Sequence, residues 1–172
     1  MISLGSRSAL VFCCTIAVAA VPSNLSGQTT ARAAQRPTFW GTIALGQAGI
    51  SDSGMIHSSI GLSVQRRHLL LTGRATGNQQ GQKGDYRMRI KDAGILAGYA
   101  TMPPARLHFS IAGGLGIVHD IDDSSTVGFP VEAQASWRVL PWAGLGLRIF
   151  AVPNSLSNYG GFSLALDVGR LR

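Results

Sequence analysis

The stretch Ile56-His57-Ser58-Ser59-Ile60-Gly61-Leu62-Ser63-Val64-Gln65 decides the fold. Ile56, Ile60, Leu62 and Val64 fall on one set of alternating positions, and His57, Ser59, Ser63 and Gln65 on the other. A period of two belongs to a strand with two unlike faces. The same pattern recurs on both sides of this stretch. Upstream, Ile43 and Leu45 share a face between Phe39 and Gly49. Downstream, Leu69, Leu71 and Ala75 alternate with His68, Thr72 and Arg74, and Ala93, Ile95, Ala97 and Tyr99 mark a fourth strand. Leu107, Phe109, Ile111, Leu115 and Ile117 face opposite His108, Ser110, Ala112 and Gly114 in a fifth. Phe129, Val131, Ala133, Ala135 and Trp137 oppose Glu132, Gln134, Ser136 and Arg138 in a sixth. Leu145, Leu147 and Ile149 oppose Gly144, Gly146 and Arg148, and Phe162, Leu164, Leu166 and Val168 oppose Ser163, Ala165 and Asp167. That makes eight strands of about ten residues, the length a tilted strand needs to cross a bilayer.

The connections predict how the strands are joined. Val64–His68, Met102–Arg106 and Val139–Trp142 are read as the short connections, and Ser51–Met55, Gly77–Lys91, Asp120–Val127 and Asn154–Asn158 as the long ones. Tight turns on one side and longer loops on the other are the layout of an outer-membrane barrel. An even strand count with these connections predicts an all-β, eight-stranded, antiparallel up-and-down transmembrane β-barrel, with both termini on the side of the short turns.

Ahead of the first strand, Arg7 precedes an apolar run from Ala9 to Val21. Thirteen residues are too few for a membrane span and match a signal-peptide core. Pro22 and Gly27 follow, and cleavage is expected near Gln28 or after Ala33. The chain is therefore divided into a signal peptide with a short N-terminal segment, 1–33, and a barrel domain, 34–172. Cys13 and Cys14 lie inside the leader, so the mature chain has no thiol for a disulfide or a thiolate metal site. No cofactor and no metal is expected.

Alternation does not say which face points outward. A soluble lipocalin-like barrel, binding a ligand in the periplasm, would turn its apolar face inward. Composition decides. Charged residues are 13% of the chain, against the ~25% typical of soluble domains, and the polar faces are mostly Gly, Ser, Ala, Thr and His. Such residues suit a narrow lumen, and the aliphatic faces suit lipid. Phe39, Trp40, Tyr99, Phe109, Trp137 and Trp142 fall at strand ends near the short turns, where an interfacial girdle belongs. The formal charge of +7 invites a nucleic-acid reading, but the basic residues lie in connections and ends and no aromatic-basic RNA motif appears. The expected location is the bacterial outer membrane.

With these features the chain resembles the small eight-stranded outer-membrane proteins of the OmpA and OmpX type. The resemblance covers the mature sequence by pattern. Tyr159-Gly160-Gly161-Phe162-Ser163-Leu164-Ala165-Leu166 resembles the closing strand that the barrel-insertion machinery reads in such families, although Gly169-Arg170-Leu171-Arg172 lacks their final aromatic. The resemblance implies a barrel embedded in outer-membrane lipid and lipopolysaccharide, with a structural, adhesive or protective role.

Three groups of residues stand out as sites. Arg74, Glu132, Arg148 and Asp167 are charges on the lumen face and are expected to pair there, because an unpaired buried charge is costly. Glu132 and Arg148, on neighbouring strands, are the expected pair. Eight strands leave room only for side chains, so the network reads as a plug rather than a pore. His57 with Ser59, and His108 with Ser110, each put a base and a hydroxyl on one face. An outer-membrane lipid A deacylase uses such a pair, so an acyl-ester hydrolase with His57 and Ser59 is the alternative to polar lumen lining. It requires the pair on the lipid side with a carboxylate beside the histidine. Lastly, Arg87, Arg89 and Lys91 run in phase with Ala93 and Ile95, and with Lys83 nearby they are expected to meet lipopolysaccharide phosphates; a bulge near Asp92 would break that phase. His119-Asp120-Ile121-Asp122-Asp123-Ser124 lacks the glycine and distal Glu of a calcium loop and reads as solvated. Gly113-Gly114-Leu115-Gly116 is no phosphate loop, because no helix follows.

Overall fold

The computed structural model describes residues 37–50, 53–82, 85–101, 106–120 and 124–169. The expected leader and its cleavage points lie outside them. Aliphatic and aromatic residues on one face and Ser, Thr and Gly on the other suit a pleated surface with unlike sides, and each alternating stretch forms a strand. They are β1 (Thr38–Ile50), β2 (Ser53–Arg66), β3 (Leu69–Gln82), β4 (Asp85–Ala100), β5 (Leu107–Asp120), β6 (Ser125–Gly128), β7 (Val131–Leu140), β8 (Ala143–Val152) and β9 (Tyr159–Gly169). Each pairs antiparallel with its neighbours, β9 returns to β1, and the sheet closes.

β6 and β7 together occupy one position in the wall. β6 lies along Gly116–His119 of β5, and β7 along Leu107–Gly113. The break falls at Phe129-Pro130, because proline has no N–H for the ladder. The Gly114 amide still donates to the Pro130 carbonyl at 2.9 Å, so the wall stays continuous. The barrel thus has eight strand positions. Following paired residues from Ser110 of β5 leads through Gln134, Arg148, Ser163, Gly46, His57, Asn78 and Ile90 and back to β5 at Asp120, ten residues further on. A stagger of this kind requires strands tilted by roughly 35–45°.

The phase of each strand agrees with the sequence: Ile43, Ile60, Leu71, Ile95, Leu115, Leu147 and Leu164 point outward. The connection lengths do not. Gly77–Lys91 was expected to be a loop, yet β3 and β4 pair as far as Gln82 and Asp85, and Ser53–Met55 and Ser125–Val127 are strand as well. Polar runs such as Gly77-Asn78-Gln79-Gln80-Gly81-Gln82 carry no apolar alternation, but the ladder is made by backbone and continues without it. At the opposite end the connection 101–106 is as long as any loop.

Two seams curl tightly. At the β1–β9 seam, a Cβ built on Gly161 would stand 1.9 Å from the Gln47 carbonyl oxygen, and one on Gly46 2.0 Å from that of Phe162. At the β4–β5 seam, Gly98 and Gly114 face the Ile111 and Ile95 carbonyls equally closely, at 2.0 Å. The seams divide the barrel into two sets of four positions, so they lie opposite each other. Only glycine allows this approach.

The interior is layered. Met55, Ile90, Val118, Phe150, Val152 and Tyr159 pack at one end, and Trp40, Leu70, Leu96, Ala100 and Ala112 towards the other. This corrects the placement of Trp40, which is not in the outer girdle. It is buried, edge-on to His108 at 5.6 Å between ring centroids. Phe39, Tyr99, Phe109, Trp137 and Trp142 do stand outside.

Candidate functional site

Between the two apolar layers lies a band of charge. Arg74 on β3, Asp92 on β4, Glu132 on β7, Arg148 on β8 and Asp167 on β9 are all buried and all occupy the inner phase of their strands. Arg74 is the centre of the band. Its Nη1 donates to Glu132 Oε2 at 3.0 Å and its Nη2 to Asp92 Oδ1 at 3.2 Å. Arg148 approaches Glu132 Oε2 at 3.9 Å and donates to Ser59 Oγ at 3.1 Å and Gln134 Oε1 at 3.4 Å. The expected Glu132–Arg148 contact is therefore the looser of the two, and the cross-barrel contact of Arg74 is the tighter. Asp167 pairs with neither arginine. It accepts from Thr42 at 2.6 Å, Gln134 at 2.8 Å and Ser136 at 2.6 Å, three neutral donors.

Asp92 was not singled out in the sequence as a member of this network, nor were Thr76 and Tyr159, two of its partners. Thr76 and the Tyr159 hydroxyl both donate to it. The signal was present, since Asp92 is in phase with Leu96 and opposite to Ala93. The register of β3 on β4 shifts between Asn78 and Gln79, where Ile90 and Met88 are their successive partners and Arg89, a little ahead of Asp92, is the extra residue. A cavity of about 10 Å³, lined in part by Thr42, Ser63, Thr72, Arg74, His108 and Glu132, remains between the side chains. That is room for about one water.

His57 and Ser59 are both buried inside the barrel and do not meet as a pair. His57 Nδ1 lies 2.8 Å from the Asn78 side-chain carbonyl, its ring stacks on Phe150 at 4.2 Å, and its buried Nε2 has no hydrogen-bond partner among the described residues. The residue beside the histidine is thus an amide rather than the carboxylate a hydrolase would require. His108 Nε2 lies 3.1 Å from Gln65 Oε1. No three His, Cys, Asp or Glu side chains converge as metal ligands among the described residues.

On the outside, Lys91 is exposed and in line with Ala93, Ile95, Ala97 and Tyr99. The phase does not continue unbroken to Arg87, because the register shift at Arg89 intervenes. Lys83 and residues 121–123 of the acidic loop lie outside the described residues.

No protein-family model matches the chain, and no curated protein matches it in sequence. Solved structures do match in fold. Ail, the attachment invasion locus protein of Yersinia pestis, superposes with a TM-score of 0.53 at 9% identity, over 77% of this chain and 96% of Ail. The outer membrane enzyme PagL gives 0.51 at 15% identity, over 76% of this chain and 99% of PagL. A de novo designed transmembrane β-barrel gives 0.50 at 14%, over 76% and 95%. Identities this low speak for the fold alone. With closure, strand count and an outward apolar face already in hand, the chain is by fold a small eight-stranded β-barrel of the outer-membrane type.

Proposed function

We propose that this protein is an integral outer-membrane barrel with a closed lumen and a structural, adhesive or protective role, exported by a leader within residues 1–33 and folded by the barrel-insertion machinery. The observation that supports the reading is the packing among the described residues: apolar layers at both ends, an ion-paired band between them, and a cavity of about 10 Å³ beside that band. Outward-facing Ile43, Leu62, Ile95, Leu115 and Leu164 support the membrane setting and oppose a soluble ligand-binding barrel, whose apolar faces would point inward. The arrangement of His57 and Ser59, with the hydroxyl held by Arg148, weighs against an acyl-ester hydrolase built on that pair. The protein is expected to fractionate with outer membrane, to require detergent, to shift in gel mobility on heating, and to give no conductance steps in a planar bilayer. Recovery without detergent would overturn the membrane reading, and regular conductance steps would overturn the closed lumen.

Lipopolysaccharide is the proposed neighbour at the end where β3 and β4 meet. Lys91 continues an apolar outer stripe into a cation, and Lys83, Arg87 and Arg89 follow it closely in the chain. Changing Arg87, Arg89 and Lys91 to Gln should weaken lipid A binding at low salt, an effect that added salt should reproduce in the parent protein. Unchanged binding would remove this contact from the proposal.

A further inference from the structure

The positive charge of this barrel is not spread over it. Each of the three connections at the end where β1 starts and β9 finishes carries arginine: Arg66 and Arg67 between β2 and β3, Arg106 ahead of β5, and Arg138 near the end of β7. Arg170 and Arg172 follow β9 in the sequence. The sequence stretches Val64–His68, Met102–Arg106 and Arg138–Trp142 contain no lysine, aspartate or glutamate. Of the carboxylates among the described residues, Asp92, Glu132 and Asp167 are buried in the lumen, and Asp85 and Asp120 stand at the opposite end. That opposite end mixes Asp52, Asp85, Asp120, Asp122 and Asp123 with Lys83, Arg87, Arg89 and Lys91, close to balance. The positive excess of the barrel is therefore concentrated at one rim.

The position of that rim matters as much as its charge. Arg66 is exposed and in phase with Ile60, Leu62 and Val64, so an apolar outer stripe ends in a guanidinium. Tyr99, Phe109, Trp137 and Trp142 stand outside at the same level. Aromatic side chains favour the boundary between hydrocarbon and headgroups, and long basic side chains extend from it towards water. The arginines thus sit at the depth of lipid phosphates. Their planar fork of donors matches a phosphate oxygen pair.

Arg67 supplies a second, independent observation. Its φ is 57°, in the left-handed region where glycine or asparagine is at ease and other residues are strained. The surroundings hold it there. Gln65 donates its amide to the Arg67 carbonyl at 2.6 Å and to the Thr101 carbonyl at 2.9 Å, while His68 stacks flat on Tyr99 at 4.8 Å. Glycine would relax this two-residue turn, and the chain places an exposed arginine there instead.

We propose that Arg66, Arg67 and Arg106 form a belt that binds the phosphates of anionic glycerophospholipids in the leaflet facing the short turns. The inference rests on the membrane reading above and names a partner which that reading leaves open. The test uses the folded full-length barrel in mixed bilayers of phosphatidylcholine and phosphatidylglycerol. Selectivity for the anionic lipid is read by spin-label association, at low and at high salt.

Parent protein should favour the anionic lipid. Arg66→Gln and Arg106→Gln should each reduce the preference by about fivefold, the effect of one basic residue near a charged surface. Arg67→Gly should reduce it similarly while leaving the barrel at least as resistant to unfolding, so that a folding defect cannot account for the loss. Arg→Lys at the three positions should keep part of the preference through charge. No preference in the parent, or one unchanged in the triple Gln variant, would overturn the belt. So would an acidic soluble polymer that binds this rim and displaces the lipid. A barrel that inserts normally into phosphatidylcholine yet shows no selectivity leaves the membrane reading standing and removes only the belt. A chain that inserts into neither bilayer removes both.

Discussion

Replacing Arg74 by Met is expected to destabilise the barrel by about 3–5 kcal/mol, the effect of stripping one partner from a buried ion network. Arg74 bonds Glu132 at 3.0 Å and Asp92 at 3.2 Å, so its loss leaves two carboxylates in a space with room for about one water. Glu132→Ala should cost less, because Arg74 keeps Asp92. Converting Arg74 to Met together with Asp92→Asn should recover part of the stability, since Glu132 keeps Arg148 at 3.9 Å and no carboxylate of the band is left facing the lost guanidinium alone. Urea unfolding in vesicles, followed by tryptophan emission, measures each variant. An Arg74→Met barrel as stable as the parent would show that the band is hydrated and screened.

A comparable loss is expected from a single carbon at the seam. Gly161→Ala would put a Cβ 1.9 Å from the Gln47 carbonyl oxygen and 2.7 Å from the Ala48 Cα. Both obstacles are backbone, so no rotamer change relieves them, and the two strands must separate locally. Overpacking in a core costs about 1–3 kcal/mol when side chains can adjust, and the upper end of that range or beyond is expected here. Gly98→Ala at the opposite seam should behave alike. Gly73→Ala is the comparison, because nothing lies within 4 Å of its added Cβ. Heat-modifiable mobility and urea midpoints separate the outcomes. Equal behaviour of Gly161→Ala and Gly73→Ala would show that the seam is not tight.

Strand phase was legible because it depends on one local property. Wherever an outer face is aliphatic and an inner face small and polar, as in Ile60-Gly61-Leu62-Ser63, alternation alone fixes which side chain goes where. Strand ends were less legible. Gln79 to Gln82 contain no apolar side chain to mark a face, and Ser125–Gly128 is separated from β7 by Phe129-Pro130, so neither segment carries the period. Trp40 was misplaced by position: near a strand end an aromatic belongs to a girdle by default, but its even number puts it in phase with Thr42 and Ala44, inside.

The charged band shows a different limit. Arg74, Glu132, Arg148 and Asp167 share the phase expected of lumen residues, and all four are buried. Their partners depend on how a tilted, staggered sheet closes, which brings residue 74 to residue 132 although their strands are not neighbours. Nothing local in the sequence encodes that meeting. Asp92 was readable from its phase alone.

The seam between β1 and β9 also orders events in time. It joins Trp40 to Gly169 and is bridged by Thr42 and Asp167, 125 positions apart in the chain. Every other pairing in the wall joins neighbouring strand positions along the chain, counting β6 and β7 as one, and can be made as the chain emerges. This one has to wait until β9 has been made. Until then both outer strands expose unpaired N–H and C=O groups, which in hydrocarbon or in a crowded periplasm invite pairing with another chain. Such a polypeptide is a long-lived open ribbon with its slowest contact saved for last, and its survival depends on whatever shields those two edges before they find each other.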